Sequence, residues 1–510
     1  MSMTADAQYN RMVTDREPFL TRARECAKYT IPALVPPNEH SSHSRLNDTF
    51  QSMGARGVNN LSSKLLMALF PPNSPFFKLQ ISTYELEKLT GEPELQSQVE
   101  EALGQVERTV QGHIESQALR TTLFEAFKLL VVSGNVLIYI DPKGGARLWK
   151  LDSYVCERDA KGNLLKVIAT DSVAVSTLDN DIREALGPHL QENEKEVTVY
   201  TVVERSEEGF KTYQEIKGER IKGSEGEYKA SKVPFLALRW SKIDGESYGR
   251  SFIEEYLGDL KSLEGLSKAM VDGAAAASKV LFLVRSGGQT RIRTITDAPN
   301  LAVRQGDAND VSVLQVGKGG DFNTALTLAR DIQERLAQAF LLTASIQRNA
   351  ERVTAEEIRL MASELEDALG GVYSVMAQEL QLPLVTVLLG QLTKTKAIPP
   401  LPNGTVEPKV IAGLDALGRG HELQRLQTMM GTLLNTLGPE VVSQYVNAPD
   451  LIRRIGTAMG VDMAGLVKSQ EQLMQEQQQK QQQAMMDQAM GSMVGQVAAS
   501  DPQPMNNGAQ

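Results

Sequence analysis

Between Ser251 and Phe340 the apolar residues take up a helical period twice, with a stretch of different character in between, and few architectures accommodate that order. The first pattern runs through Ile253, Tyr256, Leu260, Leu263, Leu266, Met270, Ala274 and Ala277. Ser251 and Glu254 open it with capping-box spacing, a serine to accept an amide and a glutamate three residues on to answer it. The second pattern runs through Ala325, Leu328, Ile332, Leu336 and Phe340. From Leu281 to Asp321 the chain breaks into short extended pieces separated by Gly-Gly, Asp and Asn. Helix, small insertion, helix predicts two stems with a compact module at their tip. Gly258, Gly265 and Gly273 interrupt the first stem. Each costs about 1 kcal/mol against alanine in a helix interior, so three together point to backbones in close approach.

A third long pattern follows a short basic loop, Ser345 to Arg352. Thr354 and Glu357 form another capping box, and Ile358, Met361, Leu365, Leu369, Val372, Met376 and Leu380 recur as one buried face requires. Pro383 removes a backbone donor inside the run, so the expectation is one long, kinked helix. The first half reads differently. Helices are expected over Ala7 to Tyr29, Asn60 to Phe70 (stopped by Pro71-Pro72) and Gln98 to Ser133. Short β-branched or aromatic runs then follow at Val136 to Ile140, Leu164 to Ala169, Val197 to Val203, Phe210 to Ile216 and Phe235 to Trp240. The fold class is α+β, mainly α. After Pro399, Pro400, Pro402 and Pro408 come short helical patterns from Leu423 to Met459, then a Gln, Met and Ala-rich tail whose end should be disordered.

Composition narrows the function. With 510 residues, 41% of them hydrophobic and 23% charged, the chain buries a sizeable core in two to four domains. A net charge of −10 argues against gripping nucleic acid over the general surface, which relies on clustered Lys and Arg. No uninterrupted apolar run suggests a membrane span or a signal peptide. Cys26 and Cys156 lie in no metal spacing and are expected as structural thiols without a disulfide.

The best enzymatic lead is Gly245-Glu246-Ser247-Tyr248-Gly249, which fits the G-x-S-x-G nucleophile elbow of serine hydrolases. Against it, Ser241 to Asp244 separate the strand from the serine, no Gly-rich oxyanion segment precedes it, and His421 is the single downstream histidine. The plain reading is a turn before a helix, with Ser251 and not Ser247 holding the structural job. His40 and His43 lie in a Ser-rich polar loop, so no metal site is supported, and Gly317-Lys318-Gly319-Gly320 lacks the spacing of a P-loop. No cofactor is expected, and no enzyme activity.

Four segments carry a family resemblance together with the basic loop and capping box: Arg22-Ala23-Arg24 with Tyr29-Thr30-Ile31-Pro32, Gly54 to Leu61 (GARGVNNL), Asp244 to Ser251 (DGESYGRS) and Ser363-Glu364-Leu365-Glu366-Asp367. From about Tyr9 to about Val467 the chain resembles the portal, or head-to-tail connector, proteins of short-tailed, podovirus-type bacteriophages. The polar segment from Ala185 to Glu196 and the tail do not share it.

The resemblance implies a cyclic ring, typically a dodecamer, at the unique capsid vertex, through which double-stranded DNA enters and leaves. It implies a wing or body over 1–250, a first stem helix over 251–280, a clip over 281–321, a second stem helix over 322–342 and a channel-facing tunnel loop over 343–353. A long kinked wing helix and linker would occupy 354–410, a helical crown 411–467 and a partly disordered tail 468–510. Implied partners are the large subunit of a terminase, which supplies the ATPase, a tail adaptor, internal core proteins, and the major capsid and scaffolding proteins, with no membrane insertion. The protein would be assembled in the host cytoplasm and carried in the virion. Arg348 and Arg352 would face DNA, Ser251 with Glu254 and Thr354 with Glu357 would cap helices, and Arg285, Arg291, Arg293 and Arg304 of the clip would dock terminase or tail. A serine hydrolase using Ser247 and a monomeric helical adaptor are the competing readings.

Overall fold

The computed structural model describes residues 3–72 other than 39 and 42, 76–81, 93–178, 195–277, 281–314, 319–342, 368–400, 406–410 and 418–446, and also 182–183, 186, 365, 451–452 and 455. The chain divides into two units, Met1–Ala416 and Leu417–Gln510.

The first unit opens with helix α1 (Ala5–Lys28), capped by the Thr4 side chain, which accepts from Ala7 N. Its first amide, Ala5 N, donates to the buried Glu215 carboxylate at 2.6 Å, where the helix dipole favours a negative charge. Helix α2 (Met53–Leu69) starts well before the expected Asn60. Its two early glycines serve contact and not flexibility: a Cβ on Gly54 would lie 2.3 Å from Tyr29 O, and one on Gly57 would lie 2.4 Å from the Phe340 ring. After strand β1 (Phe77–Ile81) the single helix expected over Gln98 to Ser133 is two, α3 (Pro93–Ser116) and α4 (Leu119–Ser133). They break at Ala118, whose φ of 51° is left-handed. Apolar periodicity continues across the break because both helices face one core, so the pattern alone does not mark it.

The β region has two sheets. Strands β2 (Asn135–Ile140) and β3 (Ala146–Trp149) join β10 in an antiparallel three-stranded sheet ordered β10-β2-β3, where β10 is Phe235–Arg239 and is buried along its whole length. The larger antiparallel sheet runs β4 (Tyr154–Arg158), β5 (Leu164–Ala174), β6 (Glu196–Arg205), β7 (Gly209–Ile216) and β8 (Glu219–Arg220), with β9 (Gly226–Lys229) also on β7. One of its faces is covered by α1, with Ala5, Tyr9, Met12 and Val13 against Val155, Ile168, Val202 and Tyr213. The sheet also carries a row of alternating charge in register across four strands, Lys166, Glu204, Lys211 and Glu227. Side-chain pairs close at 3.1 and 3.3 Å. Such opposite pairs fix register more than they add stability.

The stem pattern folds as α5 (Phe252–Ala277), β11 (Leu281–Val284), α6 (Ile292–Thr296), β12 (Val311–Leu314) and α7 (Gly319–Ala339). Strands β11 and β12 pair antiparallel, so the insertion closes on itself between the helices. Helices α5 and α7 meet where the Phe322 ring fills the space Gly273 leaves, at 2.4 Å from an ideal Cβ, and where Arg335 pairs with Asp259 at 3.1 Å. Of the three stem glycines Gly273 alone shows this close approach within the chain, since a Cβ on Gly258 or Gly265 would meet nothing within 4 Å.

The long kinked helix expected from Thr354 lies outside the described residues as far as Glu364. Beyond it, Gly370, at φ 37°, separates Leu369 from helix α8 (Gly371–Met376). A π-helical turn, Ala377–Gln381, then leads into α9 (Leu382–Lys394). Pro383 has no N–H and its ring would crowd the carbonyl four residues back; the wider π turn relieves both. The run Gly371–Lys394 reaches a mean hydropathy of 1.4, and half its most apolar window is buried. Leu380, Leu384, Val385 and Leu388 place it in the core. Where prolines suggested a linker there is a strand, β13 (Val406–Val410), antiparallel to β1 with Pro408 opposite Leu79. The Leu79 amide turns away from it to the buried Glu107 carboxylate at 2.8 Å, so Pro408 costs this ladder no bond from Leu79. The second unit contains α10 (Gly418–Leu437) and α11 (Pro439–Tyr445), with Gly438 at φ 80° between them.

Candidate functional site

The junction between sheet and first stem is built from the DGESYGRS segment, and nearly every residue in it has a partner. Ser241 and Arg250 form a β-bridge that closes the segment into a loop. Gly249 exchanges two 2.8 Å hydrogen bonds with the side-chain amide of Asn135, which imitates a strand partner. A Cβ on Gly249 would strike Arg239 Cβ, Ser241 O and Gly134 O, all within 2.9 Å, so glycine is required for this approach. Arg250 pairs with Glu246 at 2.7 Å and holds that carboxyl below the usual range.

Ser247 and Tyr248 do something the G-x-S-x-G pattern hides. The Tyr248 hydroxyl accepts from Cys156 N at 2.9 Å and the Ser247 hydroxyl accepts from Arg158 N at 3.3 Å. Cys156 and Arg158 are alternate residues of β4, the edge strand of the larger sheet, so the two hydroxyls occupy amides that a further strand would take. Arg158 in turn donates from Nε to Ser247 O at 3.1 Å. The assignment of structural work to Ser251 and not to Ser247 is therefore corrected: both have it. The strand-turn-helix elbow is absent here, because a bridged loop and not a sharp turn carries the serine.

Ser251 Oγ accepts from Glu254 N at 3.1 Å, capping α5. The other half of the capping box is replaced by ion pairs. The Glu254 carboxylate faces Arg22 at 3.5 Å and Arg250 at 3.9 Å. This ties the Arg22-Ala23-Arg24 motif of α1 to the root of the stem, as does Lys261, paired with Glu25. Ser251 also lies 3.6 Å from Cys26 Sγ. Burial pushes the Cys26 thiol up to about 12, and burial raises Cys156 as well, so neither is a reactive thiolate.

The far end of the second stem is held by the GARGVNNL motif. Asn60 Nδ2 donates to Phe340 O at 2.9 Å and to Leu341 O at 3.0 Å, and Leu342 N returns to Ala337 O at 2.7 Å. Leu341, at φ 53°, takes the left-handed position that ends a helix and that glycine usually fills. The signal for Asn60 was present in the motif, but sequence does not say what it caps.

At the other end of the stems Arg285, Arg291, Arg293 and Arg304 are all exposed, and among the described residues none forms an ion pair. They alternate with exposed apolar residues. Ile292 is 63% exposed between Arg291 and Arg293, and Leu301 and Val303, beside Arg304, are 97% and 98% exposed. Arg348, Arg352, Thr354 and Glu357 lie outside the described residues. His40 Nδ1 lies 2.7 Å from Ser44 Oγ in its polar loop, and among the described residues no group of three metal-ligating side chains converges.

The sequence matches the model of the bacteriophage head to tail connecting protein family over residues 2–467. It is 43% identical over 504 residues to the portal protein of Escherichia phage T7, covering 97% of this chain and 94% of that one. The portal protein of Enterobacteria phage T3 is 42% identical over 516 residues, with 99% and 96% covered. That of Pseudomonas phage phiKMV is 32% identical over 479 residues, with 92% of each covered. The chain belongs to the bacteriophage head-to-tail connecting protein family.

Proposed function

We propose that this chain is a portal subunit, forming a ring at one capsid vertex through which the viral genome is packaged and ejected. The observation that carries the reading is similarity along almost the whole length to portal proteins of T7 and T3, with no large segment left over for another activity. Helices α5 and α7 serve as the stem of the channel wall, residues 281–321 as the clip, and residues 343–353 as the tunnel loop. Arg348 and Arg352, partly offset by Glu351, put a weak positive collar around DNA in each ring. Duplex DNA carries a charge every ~1.7 Å, so a strongly basic wall would hold it, while a near-neutral one lets it slide.

The clip's exposed arginines and apolar tips, Arg291-Ile292-Arg293 and Leu301 to Arg304, suit a protein surface with apolar pockets and acidic rims. Terminase during packaging and a tail adaptor afterwards are the partners in this reading, and the chain itself is not an enzyme. The Ser247 hydroxyl accepts from the Arg158 amide at a sheet edge, a structural task that supports the non-enzymatic reading. The test is packaging with purified terminase and rings lacking Gly287 to Gln315: stalled packaging with intact rings supports the clip assignment, and packaging at the wild-type rate refutes it.

A further inference from the structure

Helix α2 touches both flanks of the segment that joins the second stem to α8. At its middle Asn60 binds Phe340 O and Leu341 O, and one turn earlier the missing side chain of Gly57 admits the Phe340 ring. At its C-terminal end the Ala68 carbonyl accepts from Tyr373 OH at 3.1 Å and the Leu69 carbonyl from Gln381 Nε2 at 2.6 Å. Those two carbonyls belong to the last turn, where a helix has no internal acceptor duty left. Gln381 is 1% exposed and sits in the π turn, and among the described residues its Oε1 has no partner, so the bond to Leu69 O is its side-chain polar anchor there. Asn60 and Leu69 stand nine positions apart on one helix, a fixed separation of about 13 Å at 1.5 Å per residue.

We infer that α2 is a strut in which Asn60 and Gln381 are positioning residues, setting how far apart, and in what direction, the chain leaves α7 and re-enters α8. The span from Asn60 to Leu69 is rigid because a helix is stiff along its axis, while the polar contact at either limit of that span is one or two hydrogen bonds. These few polar groups add direction to the apolar packing that already buries Phe340, Tyr373, Met376 and Leu380. A second feature makes the anchoring matter: the left-handed Leu341 is held against its own preference, and without Asn60 the exit direction has less to hold it. The functional consequence rests on the reading that residues 343–353 face the channel. On that reading the strut fixes how far each subunit's loop reaches toward the axis, and so the bore of the ring.

The test is a distance measurement in assembled rings. Gln338→Cys and Ser374→Cys place spin labels on exposed positions flanking the segment, and both native cysteines are buried and unlabelled. Rings are co-assembled with excess unlabelled chain so that a single labelled subunit is read. The inference predicts one narrow distance peak in the parent and its displacement and broadening in Asn60→Ala and in Gln381→Leu. Asn60→Ser and Gln381→Met serve if either first variant fails to assemble, the second keeping the side-chain length while removing the donor to the Leu69 carbonyl. An unchanged peak in assembled variants overturns the strut. DNA retention in filled particles is the second readout. A displaced peak with wild-type retention sinks the channel-facing reading and with it the control of the bore, while the strut itself stands. A displaced peak with DNA loss supports both.

Discussion

Ser247 shows how a residue that fits a catalytic pattern is explained by its contacts. Its hydroxyl occupies the Arg158 amide on a sheet edge. Ser247→Ala should cost about 0.5–1.5 kcal/mol, the net value of one hydrogen bond, readable as a lower melting temperature with ring mass unchanged. A fluorophosphonate probe should leave Ser247 unlabelled, and stoichiometric labelling would revive the hydrolase. The buried thiols give a second check. Cys26 in the folded protein is raised from 9.0 to about 12, so the native state keeps a proton that the unfolded state loses. Its contribution to stability is whole below pH 9 and falls as pH rises from 9 toward 12. Titrating stability in denaturant over that window should show a decline that Cys26→Ala shows less steeply. On the proposed reading that Arg348 and Arg352 face the channel, Arg348→Gln with Arg352→Gln should leave rings of normal mass and thermal stability but alter packaging or DNA retention, most at low salt where phosphate contacts are least screened. Wild-type behaviour at every salt concentration would make these arginines ordinary surface charges.

At the scale of elements, the stem helices, the insertion between them and the long strands were legible because each has its own apolar period. Boundaries that depend on distant contacts were not. The start of α2 is hidden because Gly54 and Gly57 look like helix breakers until Tyr29 and Phe340 are seen pressed against them. Strand β13 is hidden because Pro408 argues against a strand, and its position opposite Leu79, whose amide goes to Glu107, is a tertiary fact. The π turn could be foreseen as a bend at Pro383 but not as a change of helical register. Of the junction, the Ser251 cap was legible from spacing, whereas the edge hydroxyls of Ser247 and Tyr248 and the Asn60 cap join positions far apart in sequence. These contacts set the sensitivity of α2. Gly57→Ala would force a methyl into the Phe340 ring and should cost about 1–3 kcal/mol, the range for overpacking a core. A melting temperature equal to wild type would mean that Phe340 moves aside freely.

For the whole molecule, the two-stranded insertion exposes Phe282 (57%) and Leu283 (50%), and stem helix α7 exposes Leu328 (49%). A closed heterologous ring covers such surface by repeating one contact until it meets itself. Rotationally averaged electron micrographs of the purified protein, paired with mass by light scattering, should show a ring with an axial channel and about twelve chains. A homogeneous monomer at micromolar concentration, with no ring in the images, would contradict it.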